Sequence, residues 1–322
     1  MIDNIMVSII CNAYNHEDYI RDALDGFIMQ KTDFPFEVLV HDDASTDNTA
    51  AIIKEYEVKY PDIIKPIYQT ENQYSKDNSI VGQLQRRRAK GKYIAICEGD
   101  DYWTDSSKLQ RQYCAMESHP EIDICAHKAC RINASTNEIC GYIEPSAKDC
   151  VLPVEEVIKG GGGFVATNSL FYRASINEYI PQFRQMLTLD YTLQLYASLR
   201  GGMLYINDCM SNYRVLAKGS WSSRMWGDQK NYRIFNQKIE DMLKVMDSET
   251  NYKYTDTIDY TINKNWVDLY FRYQDWDNLK KEPYRSFIRK LPLERRLTIG
   301  IKMNAPILSK VLISIKNCFI RK

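Results

Sequence analysis

The sequence predicts an α/β protein, with a mostly parallel sheet flanked by helices and a helical appendage after it. Three observations predict this class. Short apolar runs alternate with helical patterns from residue 6 to residue 97. One of those runs ends in three carboxylates within four positions, Glu98, Asp100 and Asp101. From Trp226 onward strand signals fade, and aromatic residues recur at helical spacing. Short apolar runs bounded by turn residues read as buried strands, and strand–helix–strand alternation with short joins predicts right-handed crossovers and a parallel sheet. The expected division is a catalytic region over 1–225 and a helical region over 226–322.

Met6–Cys11 is continuously apolar and reads as the first buried strand. Asn12-Ala13-Tyr14-Asn15 follows, with Asn15 placed to cap a helix over His16–Gln30, where Tyr19, Ile20, Ala23, Leu24, Phe27 and Ile28 share one side. Phe36–Val40 is the second strand. The polar cluster His41 to Thr49 leads into a helix with Ala51, Ile52, Ile53 and Tyr56 on its buried side. Ile63–Tyr68 reads as a third strand, and Asn72–Gly91 as polar loop and helix. Within it Arg86-Arg87-Arg88 is either a solvated helix face or a phosphate contact, with Arg86 the candidate.

Tyr93–Cys97 is a buried strand running into Glu98-Gly99-Asp100-Asp101. Open α/β folds place their ligands at the carboxyl ends of strands. Carboxylates packed this closely repel one another, and a divalent cation relieves the repulsion; hard cations such as Mg²⁺ or Mn²⁺ favour oxygen ligands and substrate phosphates. A solvated acidic turn is the plainer alternative. A helix over Ser106–Ser118 and a strand over Ile122–His127 follow. Gly160 to Gly163 reads as a linker or as a mobile loop bordering a site, ahead of a strand over Val165–Tyr172. Leu187–Tyr196 begins a helix that carries Asp190 near its start, where a carboxylate also suits the helix dipole.

Composition narrows the function. The 322 residues hold 44% hydrophobic and 26% charged residues with zero formal net charge, which suits a soluble globular protein and argues against nucleic acid as a partner. Nine cysteines without a compact spacing pattern suggest free thiols in a reducing compartment. Cys125, His127 and Cys130 read as strand residues rather than zinc ligands, since no second ligand pair follows at finger spacing. The first strand is not followed by G-x-G-x-x-G, and there is no P-loop, so dinucleotide binding and nucleotidyl transfer are disfavoured. Met1 to Asn4 shows no signal-peptide pattern and no apolar run reaches bilayer length, so a cytoplasmic location is expected. From Lys281 to the end there are 11 Lys and Arg against 2 Glu, and Ile307, Leu308, Val311, Leu312, Ile315, Phe319 and Ile320 share one helical side. That tail suits either peripheral contact with an anionic membrane or docking on its own protein.

Three blocks carry a resemblance: Val7 to Asn15, Val40 to Thr49, and Glu98-Gly99-Asp100-Asp101. In this order and at these separations they resemble the family 2 glycosyltransferases, which have the GT-A fold. The resemblance covers about residues 5–220. It implies an inverting transferase that moves a sugar from a nucleotide diphosphate donor, UDP being the family's commonest, to a hydroxyl of a glycan or lipid-linked saccharide. Matched position by position, the base and ribose contacts fall on Asn12, Tyr14 and Asp43, with Asp42 beside them. The DXD motif, which holds Mn²⁺ or Mg²⁺ against the diphosphate, falls on Asp100 and Asp101, with Glu98 where its first acid often stands. Asp190 matches the acid that serves as general base. Tyr213-Arg214-Val215 and Gly219–Ser222 complete the match. Leu216 stands where many relatives carry a His, which removes one candidate ligand. A non-catalytic nucleotide-sugar or glycan-binding module on the same fold is the alternative.

Overall fold

A computed structural model describes residues 5–217 and 228–304. The chain divides into two compact units, Met1–Ser223 and Arg224–Lys322. The basic tail from Ile307 and the Gly219–Ser222 block lie outside the described residues.

The first unit is one curled sheet with helices on it. The runs read as buried strands are strands: β1 (Val7–Ala13), β2 (Phe36–Asp42), β3 (Ile64–Tyr68) and β4 (Tyr93–Ile96), with helices α1 (Ile20–Ile28), α2 (Thr49–Lys59), α3 (Gln73–Lys76) and α4 (Asn78–Arg88) between them. β1 lies between β2 and β4, parallel to both, and β3 adds parallel to β2. This arrangement follows from residues such as Val7, Ile9, Cys11, Val38 and Val40, which are fully buried and have no polar face to turn to water.

Beyond β4 the connections change character. β5 (Tyr102–Trp103), α5 (Lys108–Glu117), β6 (Ile124–Asn133), β7 (Ile139–Ile143), β8 (Cys150–Leu152), α6 (Val154–Gly160), β9 (Phe171–Arg173), α7 (Gln182–Met186), α8 (Asp190–Ser198) and β10 (Met203–Val215) complete the unit. The sheet order is β3-β2-β1-β4-β9-β6-β10-β5, with β7 added on β6 and β8 on β10. β9 runs antiparallel between β4 and β6, while β10 runs parallel to β6.

Three sequence expectations need correction. Asn15 does not cap a helix: its φ is +56°, its Oδ1 accepts from the Thr46 backbone N–H at 2.8 Å, and α1 begins only at Ile20. Asn tolerates this left-handed conformation, and its amide is used across the cleft instead. Residues 165–172 are not a continuous strand. Thr167–Ser169 forms a 3₁₀ turn in which Ser169 Oγ donates to the Ala166 carbonyl at 2.6 Å, a local bond that competes with the ladder. The helix expected to reach Trp276 ends at Arg272, where Gln274 takes a φ of +57° and Asp275 caps a new helix.

The second unit is helical. Helices span Gln229–Glu249, Thr255–Arg272, Trp276–Leu279, Tyr284–Lys290 and Leu293–Asn304. Asp228 caps the first by accepting from the Lys230 N–H at 2.8 Å. Trp266, Val267, Leu269, Tyr270, Leu279, Phe287 and Ile299 are packed as its core, so the aromatic residues at helical spacing are core residues. Among the described residues no helix is long and apolar enough to cross a membrane.

Candidate functional site

The site forms where β1, β2 and β4 end. Beyond β4 the chain stays on β1: the Cys97 N–H donates to the Ile10 carbonyl at 3.0 Å and Gly99 N–H to the Asn12 carbonyl at 2.9 Å. That pairing sets Glu98 beside Asn12, whose Nδ2 donates to Glu98 Oε1 at 3.4 Å. The amide of Asn12 is itself oriented by Gln85 of α4. Gln85 Nε2, fully buried, donates to Asn12 Oδ1 at 3.3 Å and to the Leu39 carbonyl at 2.8 Å. Gly99 has no room for a side chain, since a Cβ there would stand 2.9 Å from His16 Nδ1 and from Ile20 Cδ1.

Arg214, on β10, fixes the two aspartates after Gly99. Its backbone N–H donates to Asp101 Oδ1 at 2.7 Å and its Nη1 to the Asp100 carbonyl at 2.9 Å, while Nη2 pairs with Asp22 of α1. The guanidinium is packed 4.5 Å from the Tyr102 ring centroid and 5.0 Å from that of Tyr19. One arginine thus ties the acidic loop to two other elements.

Asp190 is the first residue of α8 and accepts a hydrogen bond from the Thr167 hydroxyl at Oδ2. Thr167 is held in turn by the 3₁₀ turn around buried Asn168. The Asn168 amide donates to the Asn212 carbonyl at 2.8 Å, its Oδ1 accepts from Ser211 Oγ at 2.9 Å, and its carbonyl accepts from Trp103 Nε1 at 2.8 Å. Every polar group of Asn168's side chain is therefore engaged, which is what a rigid buried amide requires.

The electrostatics of the cleft follow from this crowding. Glu98 is pushed up to about 8, first by burial and then by the charges of Asp190 and Asp100. Asp101 is raised well above the carboxylate range by burial and by Asp100 and Glu98, against the pull of the Arg214 N–H. Burial raises Asp190 as well, with the Thr167 hydroxyl opposing it. Glu98, Asp100 and Asp190 keep part of their surface exposed, so these crowded groups stand on the floor of an open cleft.

The second acidic pair lies on the neighbouring strand, with Asp42 opposite Ala13 in register. Asp43 is engaged by backbone: its Oδ1 accepts from the Gln73 N–H at 2.7 Å and its Oδ2 from the Tyr74 N–H at 3.0 Å, which anchors α3. Asp42 differs, since its buried Oδ1 has no partner and burial raises its carboxyl. Tyr14 is 44% exposed at the edge of this pair. Arg86 is placed elsewhere: the charges acting on it are those of Tyr172 and Arg87, not those of the cleft carboxylates.

Sequence reading missed Gln85, Asn168, Thr167 and Arg214, which act on the site through hydrogen bonds between distant elements. Arg214 was visible as part of Tyr-Arg-Val, but nothing in the sequence tied it to Asp101. A cavity of about 370 Å³ lies apart, lined by Lys92, Arg173, Ala174, Ser175 and Glu178. Its cations are already engaged, Lys92 by Glu117 at 2.6 Å and Arg173 by the Ile122 carbonyl at 2.9 Å. It offers no reactive group.

Residues 8–194 match the model of the family described as glycosyl transferase family 2. The chain belongs to that family. A Mycobacterium tuberculosis protein, itself uncharacterised, is 36% identical to this glycosyltransferase family member over 220 residues, 67% of this chain and 61% of that protein. This chain therefore aligns with less than two thirds of that relative's length. An Escherichia coli protein named UDP-Glc:alpha-D-GlcNAc-diphosphoundecaprenol beta-1,3-glucosyltransferase WfaP is 34% identical over 113 residues, 35% of this chain and 42% of that one. Among solved structures, S. aureus TarS 1–349, determined with UDP-GlcNAc, superposes with a TM-score of 0.59 at 16% identity, over 92% of this chain and 79% of that one. At that identity the likeness speaks for the fold, which is GT-A as the family resemblance implied.

Proposed function

We propose that this chain transfers a sugar from a nucleoside diphosphate donor, UDP in the first instance, to a hydroxyl of a glycan or lipid-linked saccharide. The region 1–225 carries the chemistry in this reading, and 226–322 is the appendage. The observation that carries it is the crowding of Glu98, Asp100 and Asp101 at the end of β4, facing Asp190 across the cleft. The printed names of WfaP and of the TarS complex, with UDP-Glc and UDP-GlcNAc, support the donor class.

The donor set suits a divalent cation. Raised carboxyls in a cleft favour a cation that offsets their mutual repulsion. Among the described residues no three His, Cys, Asp or Glu side chains converge to hold one by themselves. That fits Mg²⁺ or Mn²⁺ held by Asp100 and Asp101 together with substrate phosphates and water. Bound there, the cation would offset charge growing on the departing diphosphate.

The chain's own residues do the rest. Asn12, Tyr14, Asp42 and Asp43 surround the place for base and ribose. Asp190 removes the proton from the acceptor hydroxyl as its oxygen bonds to the anomeric carbon, and the diphosphate leaves from the opposite face with the bonding electron pair. The Thr167 hydroxyl occupies Oδ2 and leaves Oδ1 for that proton. Burial makes Asp190 a stronger base than a solvated carboxylate. One base and no enzyme nucleophile imply inversion.

The test is UDP release from a panel of UDP-sugars with Mn²⁺, for wild type, Asp101→Ala and Asp190→Asn. We expect Asp190→Asn to lose acceptor-dependent transfer about 10²–10⁴-fold while UDP binding is kept. Asp101→Ala should lose metal-dependent UDP binding. If wild type binds UDP-sugars but neither transfers nor hydrolyses them, the catalytic reading fails and a binding module remains.

A further inference from the structure

We propose that Arg86 and Arg184, gathered beside Tyr172, form a subsite for an oxyanion, a carboxylate or phosphate group, separate from the carboxylates of the cleft. Arg184 stands on α7 and is only 9% exposed. Its Nη2 donates to Asn177 Oδ1 at 3.2 Å and its guanidinium carbon lies 5.4 Å from the Tyr196 ring centroid. Its Nη1 is buried and has no hydrogen-bond partner. Arg86, on the last turn of α4, folds back over Gly82, with Nη1 3.1 Å from where a Cβ would stand. The two are close enough for the Arg86 charge to disfavour that of Arg184.

No carboxylate answers either charge. Among the described residues neither arginine forms an ion pair, although fourteen other Lys or Arg contacts to acids are within reach elsewhere in the fold, such as Arg200 with Asp123. Tyr172, buried between them, is the nearest group that eases both charges. Two guanidinium groups drawn out of water, with one N–H unbonded, are a costly arrangement without an anion. Their planar forks match the two oxygens of a carboxylate or phosphate.

The anion is not the donor's diphosphate. Neither arginine is among the charges that act on Glu98, Asp101 or Asp190. α7 is nonetheless joined to α8, which begins at Asp190, by only Leu187 to Leu189. An acidic sugar or phosphodiester on the acceptor is therefore the source we favour, and that assignment rests on the transferase reading. Oxyanion binding itself does not.

The experiment titrates inorganic phosphate, and separately glucuronate, into wild type, Arg184→Gln and Arg86→Gln by calorimetry, with and without saturating UDP and Mg²⁺. Expected is binding of at least one probe in the presence of UDP, weakened about tenfold or more in both variants, with UDP affinity unchanged. Glucuronate binding above that of phosphate points to an acidic sugar, the reverse to a phosphate. Loss of probe binding when UDP is added, no effect of either substitution, or no binding to wild type overturns the proposal. If Arg184→Gln does not fold, the half-exposed Arg86→Gln decides alone. Arginine-dependent binding in a chain that ignores UDP upholds the subsite and instead refutes the donor assignment.

Discussion

Lys108 opens α5 with its ammonium 3.9 Å from the Trp103 ring centroid, and it donates to Gln112 Oε1 at 2.7 Å. It is fully buried, and burial lowers it to about 7. Gln112 passes the connection on by donating to the Ser169 carbonyl at 2.9 Å, so the group supports the turn that holds Thr167 against Asp190. The consequence for stability has a definite sign. In the unfolded chain this lysine keeps its proton up to about pH 10.4, whereas the folded chain gives it up near pH 7. Between those values the unfolded state binds more protons, so stability rises with pH, by at most about 1.4 kcal/mol per unit from this group. Lys108→Met should flatten that rise between pH 7 and 9, measured by urea unfolding at each pH. An unchanged slope would show that Lys108 is charged in the fold.

At the scale of elements, α1 and β5 are in close contact at Gly26. A Cβ there would lie 2.9 Å from the Trp103 carbonyl oxygen and 3.0 Å from its nitrogen, and backbone cannot step aside as a side chain does. β5 follows Asp101 directly, and it pairs with β10 through Ser211 and Asn212. Gly26→Ala therefore gains helix propensity but overpacks a contact that positions the acidic loop. We expect a net loss of about 1–3 kcal/mol in urea unfolding together with weaker UDP binding. Unchanged binding at reduced stability would mean the loop is held by Arg214 alone. β5 also shows what the sequence could not reveal. Val7–Ala13, Phe36–Asp42 and Tyr93–Ile96 were legible because parallel strands buried on both faces leave continuous apolar runs. Tyr102–Trp103 has two residues, Ile139–Ile143 is largely exposed, and Met203–Val215 is interrupted by polar Asn207 and Asp208 where its register on β6 shifts. Such strands exist through pairing with distant partners, not through their own pattern. The same holds at the site. Asp100, Asp101 and Asp190 stood out as acids at strand and helix ends, while the supports Gln85, Asn168 and Arg214 are defined only by what folding brings beside them.

For the whole molecule, the division into two units makes a prediction about where stability and binding reside. The sheet unit contains every carboxylate assigned to the cleft, and the helical unit has a core of its own around Trp266, which is 7% exposed, stacks 5.5 Å from the Tyr270 centroid and donates from Nε1 to Glu240 Oε2 at 2.6 Å. Trp266→Ala removes that ring, leaves Glu240 without its donor, and should destabilise the helical unit by about 3–5 kcal/mol. Hydrogen exchange should then speed up in Gln229–Glu249 and Thr255–Arg272 and stay unchanged in β1, β2 and β4. UDP affinity should be retained, since no group proposed to hold the donor belongs to the helical unit. If exchange accelerates equally in the parallel strands, the two units unfold as one, and the helical region is then part of what keeps the cleft in shape.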